Sequence, residues 1–565
     1  MKREYGIQSE NNEKFADVLK YIVEHLAPKD AERHKFGEVF TPLELVDEML
    51  SKLPQEGSDN VWNKKDWKWL DPANGIGNFP LKVILGQSDG VYESSNPYFH
   101  GKKRFAYPGL LKGLRSKFDS DEACLKHIIE NMLFMVDINP KNNQIAKNLL
   151  HKLCPSATAN ISKIGKNGYL TDGSVLDFGN GKKIKEFNII IGNPPYQSGA
   201  VKSVGTTLTR RIKKESGFTG DLNKNLWIPF VNTALDKFLI KSGYLLFVHP
   251  IGWFKPDGLA PQTALHNKML EKQIVYMRIY KDDQAAKLFG GKGAISLSYY
   301  LLQNKNNTDK TVIYDMLDNI ESIKLNKDTV IILAYNNILK NIMSKCPLIR
   351  DTADYMQKSL ANNNCNNGGS YKNVINVTEN GQVLIVKSND ELKTKDTRTI
   401  NTMPKIFIDG INYPRILYDE RGEYGIIGQN QHYLVGDKLD RQNAFFKTKL
   451  SVLLLACIKF RQNFIEPRYY PDVRLLKDKE GKEVKITDSS LAEFFGFTPK
   501  EITAIENYAE SVNFDPERKY VYTEISCTQM GKKIKDETKG DTKKGRAKKA
   551  KKGGSRNFTR RKSRQ

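Results

Sequence analysis

Asn188-Ile189-Ile190-Ile191-Gly192-Asn193-Pro194-Pro195-Tyr196 runs a short apolar segment straight into a stiff polar turn. A bounded apolar run of this length is the pattern of a strand buried on both faces. Similar runs recur at Trp69-Leu70, Leu133 to Val136, Tyr244 to Val248 and Ser298 to Leu302, with helical patterns between them. Strands alternating with helices imply a mainly parallel sheet covered on both sides, an α/β fold. In such sheets ligands bind beyond the carboxyl ends of the strands, which is where Asn193 to Tyr196 falls.

The chemistry of that turn follows from its residues. Neither Pro194 nor Pro195 has a backbone N–H, so their carbonyls can face a ligand from a rigid turn, with the Tyr196 ring held beside them. An exocyclic amine such as adenine N6 is a poor nucleophile because its lone pair is delocalised into the ring. The side-chain oxygen of Asn193 and the Pro194 carbonyl could accept its two N–H bonds and localise that lone pair, while Tyr196 stacks on a base swung out of its helix. The plain alternative is an ordinary Asx–Pro–Pro turn.

A second signal is Asp71-Pro72-Ala73-Asn74-Gly75-Ile76-Gly77-Asn78-Phe79, directly after Lys68-Trp69-Leu70. Its glycines let the backbone approach a ligand closely, and an acid at the strand end can pair with a cationic amine. The next apolar run ends in Asp137, where related folds bind ribose hydroxyls. Asp137 could equally cap the helix expected from Pro140 to Leu150.

Composition narrows the function classes. The formal net charge is +24, and residues 531–565 hold sixteen Lys and Arg against three Asp and Glu, about half of that excess. The remainder stays basic, as expected of a surface that meets a polyanion. No apolar run approaches a membrane span and the N-terminal residues lack a secretory apolar stretch, so the chain reads as intracellular and free of membranes. The six cysteines stand singly, with no metal-ligand spacing. Cys154 and Cys457, in apolar company, read as small buried hydrophobes.

Four segments are expected. Residues 1–35 form a helical segment, with Phe15, Val18, Leu19, Ile22 and Val23 at helical spacing, and residues 36–305 form the catalytic α/β domain. Residues 306–530 form a mixed α+β recognition domain, in which Thr498-Pro499-Lys500-Glu501 signals a capped helix start. Residues 531–565 are too charged to bury a core and read as a disordered basic tail.

Taken together, Gly37 to Pro42, DPANGIGNF, MVDINP, GSVLDF, IIIGNPPYQ and GYLLFVHPIGWF resemble the ordered motifs of N6-adenine DNA methyltransferases of the restriction–modification type, in the gamma arrangement. LAEFFGFTPKEITAIE, near residues 491–506, also resembles the end of their recognition region. The resemblance implies a Rossmann-like domain, S-adenosylmethionine as cofactor and double-stranded DNA as partner, with a separate cognate restriction endonuclease. It implies that Thr41 and Asp71 hold the amino-acid end of the cofactor, that Ala73, Gly75 and Gly77 shape its pocket, and that Asp137 binds its ribose. Asn193, Pro194, Pro195 and Tyr196 take the catalytic roles, with Phe289 as a second base contact. The family's usual Cys and Ser in the glycine loop are Asn74 and Ile76 here. The acid expected at the cofactor's adenine aligns with Ser174, flanked by Asp172 and Asp177.

The same turn serves protein-glutamine methyltransferases, and RNA methylation or a non-catalytic DNA-binding scaffold are further alternatives. A recognition-sized second domain and a basic body favour DNA methylation. The sequence does not assign base-reading side chains, and the region in which to look for them is Met403 to Asp472, with Lys405, Asn412, Tyr413, Arg415, Gln429, Asn430 and Gln431.

Overall fold

The computed structural model describes residues 40–163, 169–170, 175–179, 181–196, 225–256, 260–289, 295–352, 355–360, 373–377, 383–387, 404–409, 416–422, 425–426, 428–460, 466–516 and 522–526. The expected N-terminal helix, the basic tail, Asp172 and Ser174 lie outside these residues. The chain divides into two compact units, one of residues 1–337 with 460–462, the other of 338–459 with 463–565.

Among the described residues, the main sheet of the first unit has nine strands: β1 (Trp69–Asp71), β2 (Leu133–Asp137), β3 (Asn160–Lys163), β4 (Phe187–Gly192), β5 (Leu239–Pro250), β6 (Lys272–Tyr280), β7 (Leu297–Asn306), β8 (Thr311–Tyr314) and β9 (Ile320–Ile323). They lie in the order β9-β8-β6-β7-β5-β4-β1-β2-β3. The run β3-β2-β1-β4-β5 is parallel throughout, and β7 is inserted antiparallel between β5 and β6. This is the Rossmann-like α/β fold, with a mainly parallel sheet, expected from the sequence. All five apolar runs picked out in the sequence are strands. Every residue of β1 and β2 is buried, as a strand covered on both faces requires.

Around this sheet run α1 (Leu43–Leu50), α2 (Asn78–Leu85), α3 (Pro140–Leu153), α4 (Trp227–Thr233), α5 (Ala260–Leu270) and α6 (Asp282–Leu288). The sheet continues beyond the expected domain limit at residue 305. Just past that limit, the Gln273 side-chain oxygen accepts from the backbone N–H groups of Thr308 and Asp309. That closes a tight return into β8, which pairs parallel with β6.

The second unit, taken by itself, mixes strands and helices as expected. Among the described residues it holds two four-stranded sheets, one of them edged by the strand Tyr522–Ser526, and the helices α7 (Leu439–Phe446), α8 (Lys449–Cys457), α9 (Asp488–Phe495) and α10 (Pro499–Ser511). The capped start at Thr498 is present in full. The Thr498 hydroxyl accepts from the Glu501 N–H, the Glu501 carboxylate accepts from the Thr498 N–H, and Pro499 opens the helix.

One expectation within this unit is overturned. Lys405 is fully buried, its ammonium 2.5 Å from the Asp419 carboxylate directly across the strand pair. A side chain with no exposed surface cannot reach a base edge. Asn412, Tyr413 and Arg415 lie outside the described residues, and Gln429 to Gln431 lie in the strand Gly428–Leu434. Cys154 and Cys457 are buried, as expected, and so are Cys124 and Cys346.

Candidate active site

The site lies where the chain changes direction in the sheet. From β1 it winds outward through β2 and β3, then crosses back to place β4 on the other side of β1. Neighbouring loops diverge at such a switch point and leave a crevice at the carboxyl ends. Asp71 ends β1, Asp137 ends β2 and Gly192 ends β4, so the three motifs meet on adjacent strands.

The glycine turn between β1 and α2 is held from both sides by these acids. Asp71 Oδ1 accepts from the Ala73 N–H at 3.1 Å, and Asp137 Oδ2 accepts from the Gly75 N–H at 3.0 Å. Gly75 and Gly77 have φ of +51° and +99°, the left-handed region that favours glycine. A Cβ on Gly75 would stand 3.2 Å from the Phe40 ring, and one on Gly77 would stand 3.1 Å from Leu149. The Phe40-Thr41 segment thus lies against the glycine turn, and the Thr41 carbonyl accepts from Asn78 Nδ2 at 2.7 Å.

Asp71 is buried, and its Oδ2 has no hydrogen-bond partner among the described residues. Burial pushes its carboxyl well above the usual range, the Ala73 N–H opposes this, and the nearby Asp137 adds to it. A buried carboxylate with one oxygen unsatisfied is a strong acceptor for a cationic amine. Asp137 is not the helix cap. Asn139 caps α3 by accepting from the Lys141 N–H, and Asp137 Oδ1 accepts from the Asn139 N–H at 2.6 Å.

After β4, Asn193 to Tyr196 leave the sheet as an irregular turn. The Tyr196 hydroxyl donates to the Asn193 side-chain oxygen. The ring expected to stack on a base thus has a second contact that no local pattern announces, its hydroxyl tied to the neighbouring Asn193 amide. Burial pushes the Tyr196 phenol well above its ordinary value, so it remains a donor. An amide oxygen accepts two hydrogen bonds, so this one is compatible with a second donor.

Phe289 follows α6 and packs, like Tyr196, against the hydrophobic core of this unit. The sequence did not single out Gly192, whose missing Cβ leaves room for Asp71, or Asn78, which reaches Thr41. Both stand beside residues that were singled out, but nothing in their spacing separates them from ordinary loop positions.

Residues 131–286 match the model of the Eco57I restriction-modification methylase family. A curated relative from Mycoplasma pneumoniae, described as an uncharacterized adenine-specific methylase, is 24% identical over 346 residues, covering 54% of this chain and 75% of its own. Among solved structures, the DrdV–DNA complex overlaps at TM-score 0.41 and 12% identity, covering 82% of this chain and 59% of its own. The type I restriction-modification methyltransferase subunit from Streptococcus thermophilus overlaps at TM-score 0.30 and 13% identity, covering 51% of this chain and 50% of its own. The chain therefore spans about half to three-fifths of the length of these two structures. Over residues 131–286, within the sheet-forming unit, the chain is similar to the Eco57I restriction-modification methylase family.

Proposed function

We propose that this chain is an S-adenosylmethionine-dependent DNA methyltransferase that methylates N6 of an adenine flipped out of duplex DNA. The observation that carries the reading is the placement of Asn193-Pro194-Pro195-Tyr196 at the end of β4, beside the unsatisfied buried carboxylate of Asp71 on β1. The restriction–modification family match and the adenine-specific description of the curated relative support the same substrate.

The residues present fit the cofactor. Asp71 offers an orphaned acceptor for a cationic amine, Gly75 and Gly77 leave a close backbone approach, and Phe40-Thr41 borders the same turn. Asp71 and Thr41 would hold its amino-acid end, Asp137 its ribose, and Ala73, Gly75 and Gly77 the wall of the pocket. When bound, it supplies a methyl group on a sulfonium sulfur.

The chain's own residues act on the base. Asn193 Oδ1 and the Pro194 carbonyl accept the two N6 hydrogens, which localises the nitrogen lone pair for attack on carbon and prepares N6 to lose a proton afterwards. Tyr196 orients Asn193 through its hydroxyl and offers its ring face to the base. Asp172 and Ser174 stand nearest the sequence position of the cofactor's adenine contact, and Phe289 is the second base contact. The second unit takes the role of target recognition, and a separate restriction endonuclease is the cognate partner.

Transfer of labelled methyl from S-adenosylmethionine to duplex DNA, followed by digestion to nucleosides, tests this. Label in N6-methyldeoxyadenosine is the expected result. Label confined to cytosine, RNA or protein would overturn it.

A further inference from the structure

Three buried asparagines stand around the cofactor pocket, and each donates its side-chain amide to a backbone carbonyl of a pocket segment. Asn78 donates to Thr41 at 2.7 Å, Asn74 to Gly75 at 2.7 Å, and Asn143 to Asp137 at 3.1 Å. In each the side-chain oxygen has no hydrogen-bond partner among the described residues. Leaving a buried amide oxygen unsatisfied is costly, so three in one place mark a site that holds its geometry against a stability penalty.

Of the three, Asn78 alone joins segments distant in sequence. Its partner Thr41 lies 37 residues earlier, in the arm Phe40-Thr41-Pro42 whose ring lies against Gly75. Asn78 stands at the first turn of α2, and Lys82, one turn on, extends the same link. The Lys82 ammonium lies 2.9 Å from the Asp47 carboxylate on α1, both nearly fully buried. Residues i and i+4 share a helix face. One face of α2 therefore grips both the arm and the helix that follows it. From the far side, the Glu48 carboxylate on α1 accepts from the Tyr280 and Tyr299 hydroxyls on β6 and β7.

This fixes α1 to the sheet through Glu48 and to α2 through Asp47, and leaves the arm itself tied to the glycine turn through Asn78. We propose that Asn78 is a positioning residue for the cofactor: it latches the Phe40-Thr41 arm against the glycine turn, so that the arm covers the amino-acid end of S-adenosylmethionine. The inference rests on the cofactor assignment made above. The amide nitrogen is the working atom, because only a donor can hold the Thr41 carbonyl.

Calorimetric titration of the full-length protein with S-adenosylmethionine tests the latch, alongside thermal unfolding and circular dichroism of each variant. Asn78→Ala should weaken cofactor affinity about tenfold or more, since the Thr41 carbonyl loses its donor. The methylation rate at saturating cofactor should stay within about twofold. Asn78→Asp keeps the shape but donates only when protonated, so its deficit relative to wild type should shrink as pH is lowered from 9 to 6.

Folded variants that bind as tightly as wild type at every pH overturn the latch. So does an affinity loss in Asn78→Asp that ignores pH and follows a lowered unfolding midpoint, which would make the role purely structural. A wild-type protein that fails to bind S-adenosylmethionine overturns the cofactor assignment, and the latch with it.

Discussion

The Cβ that Gly192 lacks would stand 2.8 Å from the Oδ1 of Asp71. The residue before Asn193 thus abuts the residue that opens the glycine turn, and the two halves of the proposed site share one boundary. Hydrogen-bonded pairing on both sides of β1 holds that boundary in place.

Gly192→Ala should therefore damage cofactor binding although it adds a single methyl group. Position 192 has φ of +150°, unfavourable for a side chain, and the added carbon pushes on a carboxylate oxygen. Affinity for S-adenosylmethionine should fall about tenfold or more with the fold retained, as a shift worth about 1.4 kcal/mol would produce. Equal affinity by calorimetry in a folded variant would show that this contact does not shape the pocket.

Asp71 sets a pH dependence. Burial raises its carboxyl well above the usual range, so as pH falls it takes a proton and loses the charge that balances the cofactor's amine. Cofactor affinity should weaken as pH is lowered, and binding in the range where this carboxyl titrates should release a proton, seen as a heat that varies with the buffer. Asp71→Asn should bind weakly at every pH and lose that proton release. A variant that retains the wild-type pH profile would assign the titration to another group.

His249 makes a prediction about stability. It is fully buried at the end of β5, its ring stacked on Trp227 at 4.3 Å between centroids and its Nε2 3.0 Å from the Tyr300 hydroxyl. Burial pushes it from 6.5 down to about 3. Because the folded value lies below the unfolded one, the stability it gives is complete above 6.5 and is lost as pH falls toward 3. From pH 7.5 to pH 5.5 the wild type should lose about 1.4 kcal/mol through this residue. Urea unfolding of His249→Gln at both pH values should show that share missing, whereas an unchanged difference would mean that His249 does not carry it.

How much of this was legible beforehand varied with the physical signal. The apolar runs marked the strands because burial on both faces leaves no polar position, as in β1 and β2. The capped start at Thr498 was legible because its chemistry is local. The end of the first unit was not, because the return from β7 to β8 depends on Gln273, more than thirty residues earlier in the chain. The burial of Lys405 depends on strand register with Asp419, which no local pattern reveals. At the site, the residues of the NPPY turn and the glycine loop announced themselves by type, while Asn78 and Gly192 act through partners at positions 41 and 71.

Single-turnover methylation of duplex DNA reads out the proposed activation of a flipped adenine's amine by the Asn193-Tyr196 turn. Asn193→Ala should lower the chemical rate about a hundredfold, the loss of one directed polar contact worth roughly 3 kcal/mol, with cofactor affinity retained. Tyr196→Phe, which removes only the hydroxyl that orients Asn193, should cost about tenfold or less. Tyr196→Ala should also impair capture of the base, read as a reduced signal from 2-aminopurine at the target position, because stacking is worth ~1–3 kcal/mol. Methylation by Asn193→Ala at the wild-type single-turnover rate would contradict the account.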